Sequence, residues 1–246
     1  VEVVTHNSGH ILGSTMFHLT TPTGTVAYTG DLNCVDTLVS EAAEPLECDT
    51  LIIESTYGSP DLVLPPRHQT YKRMVEWTLR QLRDGFTPAF NVYSAGKAQE
   101  IIKMLNDFTA VPIVADGRIL KVNKVYERSR IPLKADGQLE SSSHNNDGGV
   151  VLVSSWRNRS PSMNGRVKPA VATGWAVKFN YKCASFPLSS HADFRQLLAY
   201  VKAVKPKKVY TCLGFSEELA SAIRRRLGID ASTIPRLNEA TLMEHQ

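Results

Sequence analysis

Apolar residues follow two rhythms along this chain, and the change falls near residue 60. Before it the runs are short. Met16–Thr20 and Thr25–Thr29 flank Pro22-Thr23-Gly24, a turn composition between two strand-like runs, and predict a hairpin. Thr50–Glu54 is an apolar run of strand length that ends on a carboxylate, and an acidic loop with Glu41, Glu44 and Glu47 precedes it. Beyond residue 60 the spacing becomes helical. Arg67–Arg83 sets Tyr71, Met74, Val75, Trp77, Leu79 and Leu82 among charged residues, and Gly85 marks a stop. Ala89–Tyr93 predicts a buried strand, Ser94-Ala95-Gly96 a turn, Lys97–Asn106 a helix and Val111–Ala115 a strand. This alternation is that of a parallel α/β unit. Val150–Ser154 and Ala170–Thr173 read as further strands, and the chain closes with a helix over Asp193–Val204, a strand over Lys208–Cys212 and a helix over Ser216–Leu227. Gln138–Gly149 is polar and reads as a surface loop, and Arg157–Lys168 is basic.

The fold class that follows is α/β in two lobes, one built from residues 1–59 and 181–246 and the other inserted as residues 60–180. A chain of 246 residues and 27.2 kDa suits one large domain or two small ones. No apolar run approaches the ~20 residues of a membrane helix, so no membrane partner is expected. A net charge of +4 is compatible with nucleic acid without demonstrating it. Cys34, Cys48, Cys183 and Cys212 form no CxxC, which argues against a zinc ribbon or a disulfide scaffold and makes a reducing cytoplasm the default location. The chain begins at Val1 rather than Met, so its true start is expected to have been removed or to lie upstream.

Four segments end a predicted strand or begin a helix with a side chain suited to metal or proton chemistry. In Ser8-Gly9-His10-Ile11-Leu12-Gly13-Ser14 a histidine sits on tight backbone where its ring can be aimed at an ion; the plain alternative is a loop histidine bonded to backbone. Tyr28-Thr29-Gly30-Asp31 runs a strand into an aspartate, which alone is also a common turn former. Glu54 directly continues a buried strand, and burying a carboxylate costs several kcal/mol (about 3–5) unless it is paired or bound. In Leu188-Ser189-Ser190-His191-Ala192-Asp193-Phe194 the Ser190/Asp193 spacing approximates a capping box and puts His191 in the first helical turn. Glu54 is the carboxylate that would offset the helix-end field on His191.

Taken in order, Ser8–Met16, Tyr28–Leu32, Leu51–Gly58, Gly96–Glu100, Ser189–Phe194 and, with one departure, Lys208–Leu219 resemble the β-CASP nucleases of the metallo-β-lactamase superfamily. The likeness is to the archaeal RNA-processing and ligase-associated exonuclease branch, related to the cleavage-and-polyadenylation endonuclease. It implies a metallo-β-lactamase-like αββα lobe, with its N-terminal part missing, and an inserted β-CASP-type lobe. It also implies a cleft between the lobes for a phosphodiester of RNA or single-stranded DNA, in RNA processing or DNA repair. By the same resemblance His10 and Asp31 are zinc ligands, Asp31 bridging two ions. Glu54 and His191 are the catalytic pair, with the histidine protonating the leaving oxygen. Gly96-Lys97 would open a helix towards a phosphate, and Arg157, Arg159 and Arg166 would extend a basic track.

Two departures shape the expectation. The family's His-x-His-x-Asp-His string, which supplies four zinc ligands, is absent from the sequence, and Leu213 stands where the family has its final histidine ligand. Two ligands do not make a zinc site that takes three or four, and Cys212 belongs to the opposite face of its strand. Three readings follow: a metal-dependent nuclease present as an incomplete chain; a pseudo-nuclease subunit that binds nucleic acid or a catalytic, processing-complex partner; and an α/β hydrolase-like domain with chance motifs.

Overall fold

In the computed structural model, which describes residues 1–139, 148–154 and 166–234, two six-stranded sheets meet across the region where the chain changes rhythm. The elements run β1 (Glu2–Asn7), β2 (Thr15–Thr21), β3 (Gly24–Tyr28), β4 (Thr50–Glu54), α1 (Arg67–Arg83), β5 (Thr87–Asn91), α2 (Lys97–Phe108), β6 (Ile113–Ala115) and α3 (Gly117–Arg128). They continue as β7 (Gly137–Gln138), β8 (Val150–Val153), β9 (Val167–Ala172), a 3-10 turn (Gly174–Val177), β10 (Ala184–Phe186), α4 (Phe194–Val204), β11 (Lys208–Cys212), α5 (Ser216–Leu227) and β12 (Asp230–Thr233). Arg157 and Arg159, and most of the loop at Gln138–Gly149, lie outside the described residues.

The first sheet has the order β1-β2-β3-β4-β11-β12. Its β2–β3 hairpin is antiparallel, with Phe17 opposite Tyr28, whereas β3, β4, β11 and β12 run parallel. Side chains alternate across a strand, so Leu51 and Ile53 face the helices with Met16, Ala27, Val209 and Ala231. There they pack on Phe194, Leu197 and Val201 of α4 and on Leu219 and Ile223 of α5. On β1, β2 and β3, Val3, Phe17 and Tyr28 are exposed.

The second sheet, β10-β9-β5-β8-β6-β7, is parallel throughout. All four residues of β8 are buried. Val150 and Leu152 join the core under α1, α2 and α3, and Val151 and Val153 the smaller cluster on the reverse face. An unbroken apolar run is what a strand covered on both sides requires. This sheet extends to Phe186, six residues past the expected lobe boundary at 180, because β10 pairs with β9 rather than returning to the first sheet.

Parallel strands deliver all their C-terminal ends to one edge. In the first sheet that edge carries Glu54 and Cys212, in register with one another. In the second it leads to Val92, Tyr93 and Thr173. The two edges face a common pocket.

Candidate active site

Glu54 ends β4 with no exposed surface, and the fold supplies it with three donors. Leu32 N–H donates to Oε1 at 2.6 Å, Thr56 N–H to Oε2 at 3.3 Å, and His191 Nδ1 lies 2.9 Å from Oε1 and 3.1 Å from Oε2. Burial pushes the carboxyl up, but the hydrogen bond and charge of His191 with the two backbone donors outweigh it, so the pKa lies below the ordinary carboxylate value. A carboxylate only accepts, so Nδ1 of His191 carries the proton and Nε2 is left for the pocket.

The expected helix start at Ser190 is corrected by the structure. Asp193 is the N-cap of α4 and forms the capping box with Gln196, so His191 precedes the N-cap by two residues rather than lying in the first helical turn. An aspartate accepts from the N3 amide at 2.9 Å, and its second oxygen takes Leu64 N–H at 2.9 Å, a double use that Ser190 could not offer. His191 is fixed instead by its neighbours: its N–H donates to Ser189 Oγ at 2.9 Å, and Ala192 N–H donates to Leu32 O at 2.6 Å.

His10 approaches from the loop between β1 and β2. Its Nδ1 lies 2.8 Å from Ser190 O, again directing Nε2 inward. The loop closes on Gly9, whose φ is +72° and whose absent Cβ would stand 2.4 Å from Asn33 O. Burial, then the charge of His191, lowers the His10 pKa against the opposing effects of Ser190, Asp31 and Glu54. His10 Nε2 is 3.7 Å from Asp31 Oδ2, and the His10 and His191 ring centroids are 4.4 Å apart. One ligand atom from each of His10, Asp31 and His191 falls within 4.8 Å of the others, a third donor that counting along the sequence did not include. Imidazole and carboxylate suit zinc, but among the described residues this single trio is too small for a two-zinc centre. Cys212 does not enlarge it: burial, then Glu54 and Asp31, push its thiol up to about 11, and Sγ is engaged with Ile53 O. Leu213, at φ +63°, is exposed beyond the strand end.

Lys97 opens α2 as expected, yet it is buried rather than presented to solvent. Its Nζ is 3.9 Å from Glu100 Oε2 and 3.4 Å from Ser190 Oγ, and burial, followed by the opposing effects of Glu100 and Arg67, brings its pKa to about 8. Glu100 also takes Arg67 and Tyr71, while Arg67 Nη2 donates to Ser189 O at 2.6 Å. This buried network ties α1 and α2 to the segment that carries His191. Nothing in the sequence pattern announced it, because its members lie on two helices and a loop.

Lys97, His10 and His191 line a pocket of about 300 Å³ with Tyr57, Tyr93 and Trp175. Its two walls touch at glycines: a Cβ on Gly96 would stand 2.2 Å from Ile11 Cγ2, and one on Gly174 would stand 2.4 Å from Tyr57 Oη. Arg166 does not reach the pocket. It is exposed just before β9, whose other end leads to Thr173, and a seven-residue extended span separates the two by about 23 Å.

A family profile described as "Zn-dependent metallo-hydrolase RNA specificity domain" matches residues 176–235. A "Probable DNA ligase" of Opitutus terrae is 30% identical over 98% of this chain and 24% of its own length. "Transcription termination factor FttA" of Methanothermobacter thermautotrophicus is 27% identical over 95% of this chain and 48% of its own. An "RNase J-like protein" of Methanocaldococcus jannaschii is 35% identical over 49% of this chain and 31% of its own. The chain therefore spans about half or less of these relatives. An Enterococcus faecalis V583 crystal structure of a protein of unknown function superposes with a TM-score of 0.68 at 12% identity, covering 96% of this chain and 63% of that one, which is a likeness of fold.

Proposed function

For a chain that belongs to the metallo-β-lactamase/β-CASP nuclease family, we propose the part of a metal-dependent RNA phosphodiesterase that receives the leaving group. The observation that carries this reading is the Glu54–His191 pair, buried on the carboxylate side and open to the pocket on the imidazole side. Glu54 orients the ring through Nδ1, and Nε2 of His191 holds the proton that passes to the departing oxygen. Ser190 and Lys97, beside it, meet the phosphate; an ammonium in so dry a place attracts an anion more strongly than one in water. His10 and Asp31 contribute two donors towards zinc, since Nε2 of His191 cannot ligate a metal while it carries the proton, and no step is assigned to a metal because the described residues do not complete its ligand set.

The substrate is single-stranded RNA, with single-stranded DNA as the second candidate because a relative named as a DNA ligase matches almost the whole chain. The two sheets act as two lobes, residues 1–59 with 181–246 and residues 60–180, adjusted for the place of β10. Four free cysteines suit a reducing cytoplasm, and among the described residues no helix is long and apolar enough to cross a membrane.

A second reading, a subunit that binds nucleic acid or a catalytic partner without cutting, is favoured by the short donor set. The test uses an end-labelled single strand of RNA incubated with added zinc and with the protein extended by a segment that carries the His-x-His-x-Asp-His string, since this chain without it is expected to cut little or not at all. The first reading expects cleavage that His191→Ala removes while binding persists. Binding that weakens with salt but never leads to cleavage selects the second. No binding at any salt concentration overturns the first reading and the nucleic-acid form of the second, and leaves only a subunit that binds a catalytic partner.

A further inference from the structure

Residues 174–182 read Gly-Trp-Ala-Val-Lys-Phe-Asn-Tyr-Lys, three aromatic rings interleaved with two lysines. The segment is the 3-10 turn and the irregular stretch after it, and Lys178, Phe179, Tyr181 and Lys182 are all exposed. Phe179 leaves 53% of its surface in water. A ring placed so on a short turn needs a reason, and packing does not supply one: neither Trp175, Phe179 nor Tyr181 belongs to any of the three buried clusters.

The rings are nevertheless ordered with respect to one another. Tyr57 lies 6.0 Å from the His191 ring and 4.8 Å from Trp175. Trp175 in turn lies 6.1 Å from Phe179 and 6.3 Å from Phe215, tilted by 42° and 48°. A chain of ring contacts therefore leads from the catalytic histidine through the buried Tyr57 to Trp175 and, at the surface, Phe179. Lys178 Nζ stands 5.3 Å over the Phe215 ring, a cation at the outer end of the row. Across the pocket mouth Tyr93 leaves 73% of its surface in water. Every base has a π-face, and aromatic platforms beside cations are how proteins hold unpaired bases with little regard for sequence. Bases in a duplex keep their faces covered.

We propose that the row Trp175–Phe179/Phe215, backed by the buried ring of Tyr57, is a stacking track for unpaired bases of single-stranded RNA leaving the His191 pocket, with Lys178 and Lys182 on the backbone phosphates. This rests on the nucleic-acid reading above and adds to it what is gripped: base faces as well as phosphates.

The experiment measures fluorescence anisotropy of the whole chain with two labelled probes of equal length and charge. One is an oligoadenylate of about 12 nucleotides, the other the same ribose-phosphate strand with its bases replaced by abasic spacers. The oligoadenylate is expected to bind at least about fivefold more tightly than the abasic strand. Phe179→Ala should remove much of that difference without changing affinity for the abasic strand, and Phe179→Tyr should restore it. Lys178→Ala should weaken both probes alike and reduce the salt slope by about 0.7, one phosphate contact. Equal affinity for the two probes, or a Phe179→Ala variant that keeps the full difference, overturns the stacking track and leaves phosphate binding standing. Failure of both probes to bind overturns the nucleic-acid reading and the track with it.

Discussion

Replacing Glu54 with Gln keeps the volume of the side chain and removes its charge, and the surroundings set what that costs. Glu54 is wholly buried and serves Leu32 N–H, Thr56 N–H and the Nδ1 proton of His191. A carboxylate accepts all three. An amide has one accepting oxygen, so whichever way it is turned its NH2 faces a donor. Burial alone would favour the neutral side chain, yet the carboxyl pKa lies below its ordinary value despite that burial. The native surroundings therefore prefer the ion. One lost charge-assisted bond with a stranded buried donor amounts to about 1–3 kcal/mol, or about 2–12 °C in the Tm of a chain of this size. Thermal unfolding followed by circular dichroism measures it. The sign with pH is also fixed. A depressed carboxyl pKa contributes stability that is complete above the ordinary carboxylate range and is lost on acidification below it, so the gap between wild type and Glu54→Gln should be widest near neutrality and shrink in acid. A variant as stable as the wild type at neutral pH, or a gap that widens in acid, would refute the reasoning.

Gly9→Ala should destabilise the fold more than Gly96→Ala in denaturant titrations. The new methyl at position 9 meets the backbone oxygen of Asn33, whereas at position 96 it meets the Cγ2 methyl of Ile11, a side-chain rather than a backbone atom, and each costs about 1–3 kcal/mol from its positive φ. Adding Ile11→Ala should recover part of the loss at 96 and none at 9; equal losses with no recovery would contradict this. Asp49 accepts from Thr25 and Lys207, and the Lys207 bond first, then those from Thr25, bring its pKa to about 2. Its contribution is therefore present above the ordinary carboxylate range and disappears as pH falls towards about 2, and Asp49→Asn should flatten the acid limb of a stability-against-pH curve. After dialysis against metal-free buffer the chain should retain fewer than two zinc ions, measured by plasma mass spectrometry, since one trio of donors is present among the described residues; two retained ions would show a ligand set elsewhere.

What the sequence displayed and what it hid divide along physical lines. The bounds of α1, β4, β11 and α5 coincide with those read from periodicity, because each buries one face continuously and the pattern records it. Helix α3 was not read from the sequence at all, although Asp116 is an N-cap that accepts from Arg118 N–H and Ile119 N–H. Strand β1 is exposed along nearly its whole length, so no alternation marks it. At the site, the meeting of Glu54 and His191 was legible because a carboxylate ending a buried strand must find donors. The hold of Ser190 on His10 was not, since a main-chain carbonyl has no identity in a sequence. Trp175 and Tyr57 escaped notice for another reason: each is unremarkable alone, and only the fold lays one ring on the other.

The glycine contacts that join the pocket walls bear on how a polymer gets in. Gly96 against Ile11 and Gly174 against Tyr57 hold the loops of one sheet to the turns of the other, leaving no side-chain slack to be taken up. A clamp that opens along its length receives a strand anywhere in its middle. A seam stitched at two points would admit one by threading, as a needle's eye does, and the free terminus of the polymer would then be the feature selected. Linear and circular strands of one sequence, alike in bases and in charge, would be different ligands to such a protein.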